Sequence, residues 1–150
     1  MRFATGDAHG LASPEHAFDT VVCLRVLMHT PDWRQSLREL CRVARRFVIF
    51  DYPALSSAAA IQAVGRRAAF SLGVKTEPYR VFSDRAVRSA LATAGFRVRE
   101  IHRQFVLPIA FHKALGSAVV TTRLEGALAA VGLRKLLGSP VTVWAERCGS

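Results

Sequence analysis

The chain has 150 residues, 51% of them hydrophobic, and a formal net charge of +10. That length supports one domain with a real core and not two, and a charged fraction of 21% excludes wholesale disorder. The longest apolar run, residues 105–111, is far too short to span a bilayer, and the N-terminus lacks the apolar core of a secretory signal, so a cytoplasmic location is expected.

Of the 21 basic side chains only Lys75, Lys113 and Lys135 are lysines; the rest are arginines, spread along the chain in short clusters. No recognition motif with interleaved aromatics accompanies this charge, which disfavours nucleic acid as a partner. Peripheral contact with an anionic membrane surface stays open. Cys23, Cys41 and Cys148 are odd in number and far apart, so reduced thiols are expected and a metal-ligand set is not.

In chain order, residues 2–5 read as a short strand, followed by a turn at Gly6-Asp7-Ala8. Residues 18–24, FDTVVCL, form a β-branched apolar run of the kind buried in parallel sheets. Pro31 and Asp32 start a helix, the proline suiting its first turn and Asp32 complementing its positive end; its apolar face is Trp33, Leu37, Leu40, Cys41 and Ala44. Arg42, Arg45 and Arg46 then stand at its negative end. Residues 47–53, FVIFDYP, are a second buried-strand pattern, which closes a βαβ unit. Residues 56–72 favour a helix ending at Gly73. Ser83 suits the N-cap of a further helix carrying Val87, Leu91 and Ala94, with Gly95 just past its end. Residues 96–103 read as a strand with a basic face, residues 105–137 as apolar and helical with glycine and proline breaks, and residues 140–147 as a last strand.

Several polar side chains fall at C-terminal strand ends, where open α/β sheets bind ligands. Asp7 could accept a hydrogen bond from a ligand's amino group or, alternatively, bond to its own turn. Arg25 and His29 follow the second strand, and His29 could be a general base, a polar contact or a solvated loop residue. Asp51 and Tyr52 end the third strand, where a carboxylate could equally cap the next turn. Tyr79 and Arg80 precede the Ser83 helix and could line a pocket. His9, His16, His102 and His112 form no metal pattern, and neither a nucleophile motif nor a phosphate-binding loop is present.

Residues 6–53, from GDAHGL through FDTVVCL, HTPDW and LRELCRV to FVIFDYP, resemble the middle of a class I S-adenosylmethionine-dependent methyltransferase of the type 11 kind. Residues 82–98 resemble the late helix and sixth strand of that family, and residues 140–147 its seventh. The resemblance implies an α/β, Rossmann-like methyltransferase fold with a mainly parallel sheet ordered 4-5-7-6, an antiparallel last strand and helices on both faces. It implies S-adenosylmethionine as cofactor, with Asp7 and Ala8 at the adenine and Cys23, Leu24 and Arg25 along the methionine part. His29, Tyr52 and Tyr79 would lie on the substrate side, and the acceptor would be a small molecule. Residues 105–139 would be a helical insertion or lid within one domain, 1–150.

The family's glycine-rich loop and the acidic residue after its second strand have no counterpart here. The chain is therefore expected to be a C-terminal part of the fold, inactive or impaired alone, with an uncovered sheet edge that leads to homodimers or to a partner completing the sheet. The alternative function is a non-catalytic binding module that uses this edge or the basic surface.

Overall fold

A computed structural model of the chain describes residues 3–56, 80–105, 118–130, 132 and 138–149. The helix expected over 56–72, its end at Gly73, Tyr79 and most of the apolar segment 105–137 lie outside the described residues. The chain divides into two compact units. The first comprises Met1–Asp51, Arg85–Ile101 and Val143–Ser150; the second comprises Tyr52–Asp84 and His102–Thr142.

The regular elements are strand β1 (Phe18–Cys23), a 3-10 turn (Leu27–His29), helix α1 (Trp33–Val43), strand β2 (Ala44–Tyr52), helix α2 (Asp84–Thr93), strand β3 (Phe96–Phe105), helix α3 (Ala118–Ala130) and strand β4 (Ser139–Arg147). The strands make one mixed sheet in the order β1-β2-β4-β3, so the last strand inserts between the second and third as the resemblance implies. β1 and β2 are parallel neighbours, with Thr20 opposite Phe47, Val22 opposite Ile49 and Cys23 opposite Phe50.

Within the first unit, side-chain parity sorts the sheet into two faces. Val48 and Phe50 of β2, Val143 and Ala145 of β4, and Phe96 of β3 are buried. Helix α1 adds Trp33, Leu37, Leu40 and Cys41 to this core, and α2 adds Val87 and Leu91. Residues of the opposite parity are open: Val22 is 58% and Trp144 40% exposed, and Phe47 and Ile49 are half-buried. Phe47 meets Trp144 edge-on, with ring centroids 5.4 Å apart.

Asp32 is the N-cap of α1, at its positive end as expected, and Pro31 precedes the cap instead of lying in the first turn. Its carboxylate accepts from the backbone N–H groups of Arg34 and Gln35, both at 3.1 Å, which satisfies two orphan donors. These bonds, led by the one from Gln35, hold its carboxyl below the usual range. At the other end α1 runs straight into β2. Ala44 is both the helix C-cap, its N–H donating to Leu40 O, and the first strand residue. β2 therefore begins three residues before the expected Phe47, and Arg45 and Arg46 are strand residues. Arg147 closes this corner: Nη2 donates to the carbonyls of Cys41 and Ala44 at 2.7 and 2.8 Å, and Nε to that of Arg45 at 3.2 Å.

Gly95, just past α2, has φ +77°, a left-handed position where a Cβ is strained. The strand expected over residues 2–5 does not form among the described residues; Phe3 is fully open, and the first regular contact is an isolated bridge between Asp7 and Gly10. A strand exists only with a partner ladder, and among the described residues none runs beside this segment.

In the second unit, Tyr52 stacks at a tilt on Phe82 (5.7 Å), and Leu55 N–H and Phe82 N–H bond to Phe82 O and Pro53 O. Of the expected lid, α3 is described, with Val120 and Leu124 exposed one turn apart.

Candidate cofactor site

The first unit brings two groups of expected residues to the loops around β1. One is the turn of Asp7. Its Oδ1 accepts from both His9 N–H and His9 Nδ1 at 2.9 Å, so the carboxylate does bond to its own turn. The His9 backbone bond, then the side-chain bond, lowers its pKa. The imidazole's other nitrogen, Nε2, accepts from Asp32 N–H at 3.4 Å, and Gln35 Nε2 donates to His9 O at 3.1 Å. His9 thereby docks the Asp7 turn on the N-terminus of α1. Ala8 lies between the two in this turn.

The spacer that follows is held by α1. Glu39 accepts from Leu11 N–H at 2.9 Å, and Arg42 donates to Leu11 O and Ser13 O at 2.8 and 3.0 Å while pairing with Glu39. Arg42, expected to serve the helix end, is spent on this loop. Its bond is the main reason the Glu39 carboxyl sits below its ordinary range.

The second group is the C-terminal end of β1. Cys23 is buried, and Leu24 and Arg25 are exposed. Arg25 has φ +63°, left-handed for a residue with a Cβ. Its N–H donates to Asp51 Oδ1 at 2.6 Å, and Asp51 is 5% exposed at the end of the neighbouring strand. A buried carboxylate on β2 thus holds the turn that ends β1. Burial, and secondarily the Asp51 charge, push the Cys23 thiol up to about 11; burial takes Cys41 to about 12. Both are neutral structural thiols, and Cys148 is exposed. No group of metal-ligating side chains occurs among the described residues.

His29 is exposed in the 3-10 turn after β1. Tyr52 ends β2. It is buried, and its hydroxyl donates to Asp84 at 3.0 Å, with Arg103 paired to the same carboxylate. The residues that sequence reading missed are His9, which a D-x-H turn signals locally, and the pairing of Asp51 with Arg25.

Residues 1–49 match a family model described as a methyltransferase domain. No curated protein matches the chain by sequence. Among solved structures, magnesium protoporphyrin IX methyltransferase from Synechocystis, with bound SAH, is 15% identical at a TM-score of 0.56, covering 97% of this chain and 50% of that one. A SAM-dependent methyltransferase of Thermotoga maritima, a possible histamine N-methyltransferase, is 15% identical at 0.61, covering 95% and 62%. A Haloferax volcanii methyltransferase complex with the Trm112 activator is 16% identical at 0.56, covering 95% and 60%. The chain has the fold of the class I S-adenosylmethionine-dependent methyltransferases. It spans about half the length of the Synechocystis enzyme.

Proposed function

We propose that this chain forms part of an S-adenosylmethionine site and serves methyl transfer to a small-molecule acceptor in the cytoplasm. The observation that carries the reading is the pairing of a methyltransferase-domain match over residues 1–49 with two preorganised elements inside or beside it. Asp7 is fixed by His9 through Oδ1, which leaves its exposed Oδ2 able to accept from an adenine amino group, with the Ala8 backbone alongside. The turn at Cys23, Leu24 and Arg25, held by Asp51, offers backbone and an arginine to the amino-acid part.

These residues fit such a cofactor in kind: an anchored acceptor for an amino group, and an open strand end beside a buried apolar Cys23. The bound cofactor supplies an electrophilic methyl group on a sulfonium. The protein's contribution is to align it, and His29, exposed after β1, is in this reading the group that meets an acceptor proton.

The test is calorimetric titration of the chain with S-adenosylhomocysteine. Weak binding is expected of a chain that forms part of the site, and Asp7→Ala should weaken it at least about tenfold, the loss of one good hydrogen bond. A folded chain that binds no S-adenosylhomocysteine at millimolar concentration refutes the reading.

A second reading, a binding module that pairs through its sheet edge, draws on β1: it is an outer strand of the sheet and exposes Phe18 and Val22. It requires a dimer or a hetero-complex in solution, which light scattering on a sizing column detects. A monodisperse monomer counts against it.

A further inference from the structure

His9 sits in the middle of a tight turn and faces three groups at once. The turn runs from Asp7 to Gly10 and is closed by Gly10 N–H on Asp7 O at 3.1 Å. His9 N–H and His9 Nδ1 both reach Asp7 Oδ1 at 2.9 Å, and Asp32 N–H reaches His9 Nε2 at 3.4 Å. These neighbours dictate where the imidazole proton lies. A backbone amide only donates, so Nε2 is the bare nitrogen. An ionised carboxylate only accepts, so Nδ1 carries the proton. The neutral Nδ1–H form therefore satisfies every partner. Gln35 Nε2 holds the backbone of the same residue, donating to His9 O at 3.1 Å. Asp32 caps α1 and Gln35 lies in its first turn, so ring and backbone of His9 are both referenced to a helix anchored by buried Trp33, Leu37 and Leu40. The turn is thus shaped before any ligand arrives.

We propose that His9 is the positioning residue that makes this end of the site select a purine with an amino group at its 6-position over one with an oxo group there. The inference rests on the proposed adenine contact of Asp7 and adds to it the residue that sets the choice. Both donors at Oδ1 come from His9, which leaves Oδ2 for the ligand. The same two bonds stabilise the ionised carboxylate, so Asp7 is an acceptor with no proton to offer. A 6-amino group donates to it. A 6-oxo group sets a second acceptor against it, which loses the bond and adds repulsion. The Asp7 side chain is 72% exposed, so without His9 little else restrains it, and ordering it falls on the binding step.

The experiment titrates the whole chain with S-adenosylhomocysteine and with S-inosylhomocysteine, its 6-oxo counterpart, following the backbone amides of residues 6–10 by heteronuclear NMR. The unaltered protein should prefer the amino compound at least about tenfold, the difference one good hydrogen bond makes. His9→Ala should reduce that preference about three- to tenfold, the cost of ordering one side chain on binding. General loosening of the turn would weaken both compounds alike and leave the preference intact. His9→Asn, whose side-chain N–H2 stands in the place of Nδ1–H, should restore most of the preference. With Asp7→Ala already present, His9→Ala should change affinity by less than about twofold, because His9 acts through Asp7. Independently of any ligand, imidazole 15N shifts in mildly alkaline buffer should show Nδ1 protonated and Nε2 bare, the signal being identified among the five histidines by its loss in His9→Ala. A preference unchanged in His9→Ala, equal losses in His9→Ala and His9→Asn, or an Nε2–H tautomer overturns the proposal. A chain that binds neither compound, or an Asp7→Ala variant of unaltered affinity, refutes the adenine contact and this proposal with it; an Asp7 effect without a His9 effect refutes the proposal alone.

Discussion

The bond from Arg25 N–H to Asp51 joins a strained residue to a buried charge, and its energetic weight can be measured. Asp51→Ala removes an acceptor 2.6 Å from the amide. A hydrogen bond to a charged group contributes roughly 1.5–3 kcal/mol. Relieving the desolvation of a carboxylate that is 5% exposed returns part of this, so the expected loss is about 2 kcal/mol. Holding a side-chain-bearing residue left-handed costs roughly 1–2 kcal/mol, which Arg25→Gly recovers. The glycine's added freedom in the unfolded chain offsets about 0.5–1 kcal/mol of that. Arg25→Gly alone should therefore stabilise by about 0.5–1 kcal/mol. In the Asp51→Ala background it should restore about 1 kcal/mol, because the turn then keeps its shape without the tether. For a chain of this size 1 kcal/mol moves the melting temperature by roughly 2–4 °C. Asp51→Ala should then melt about 4–8 °C low, and the double variant should regain around half. Amide exchange gives an independent reading. The Arg25 amide should exchange on the order of 30-fold faster in Asp51→Ala, since 1.4 kcal/mol is a factor of ten. An unchanged melting temperature with unchanged exchange would refute the tether. A double variant less stable than Asp51→Ala alone would refute the strain.

Three further outcomes are expected. Glu39 is held below the ordinary value of 4.5 by its bond with Arg42. Its contribution is fully present above that value and is lost as pH falls through the depressed folded value, so Glu39→Gln should flatten acid unfolding below about pH 4.5 in a urea midpoint series. Iodoacetamide at pH 8 should label Cys148 alone in the native protein and all three cysteines in denaturant, because burial shields Cys23 and Cys41 and pushes their thiols up to about 11 and 12; native labelling of Cys41 would contradict the packing of α1. Leu91→Ala, at a fully buried position of α2, should cost about 2–5 kcal/mol in denaturant titration, and a loss below 1 kcal/mol would show that α2 does not pack as described.

Helical spacing and turn chemistry were legible in the sequence wherever the determinants are local. Asp32, Leu37, Leu40 and Cys41 mark α1, Gly95 marks the end of α2, and the alternative that Asp7 bonds to its own turn is the one observed. Boundaries set by tertiary contacts were not. β2 starts at Ala44 because Arg147, about a hundred residues further on, takes up the carbonyls at the end of α1. No local preference encodes that. Residues 2–5 carry strand propensity, but a ladder needs a neighbour. Tyr52 is buried at a strand end, and its hydroxyl bond to Asp84, 32 residues further on, has no local signal. The bond between Asp51 and Arg25 spans two strands, and only the register of β1 on β2 brings the two together.

The helix that becomes a strand at Ala44 has a consequence for sequence change in this region. With no connecting loop, a residue inserted or deleted at the junction has only the irregular step that β2 makes between Ala44 and Phe47, opposite Phe18 and Thr20, to take it up; where that step does not take it up, the register shifts. In the helix it would turn the Leu37, Leu40 and Cys41 stripe by about 100°. A register shift in the strand would exchange the two sides of β2, sending Val48 and Phe50 to the open side and Phe47 and Ile49 inward. Length variation should thus be rare at residues 40–46, and point substitution should be the main change this corner tolerates.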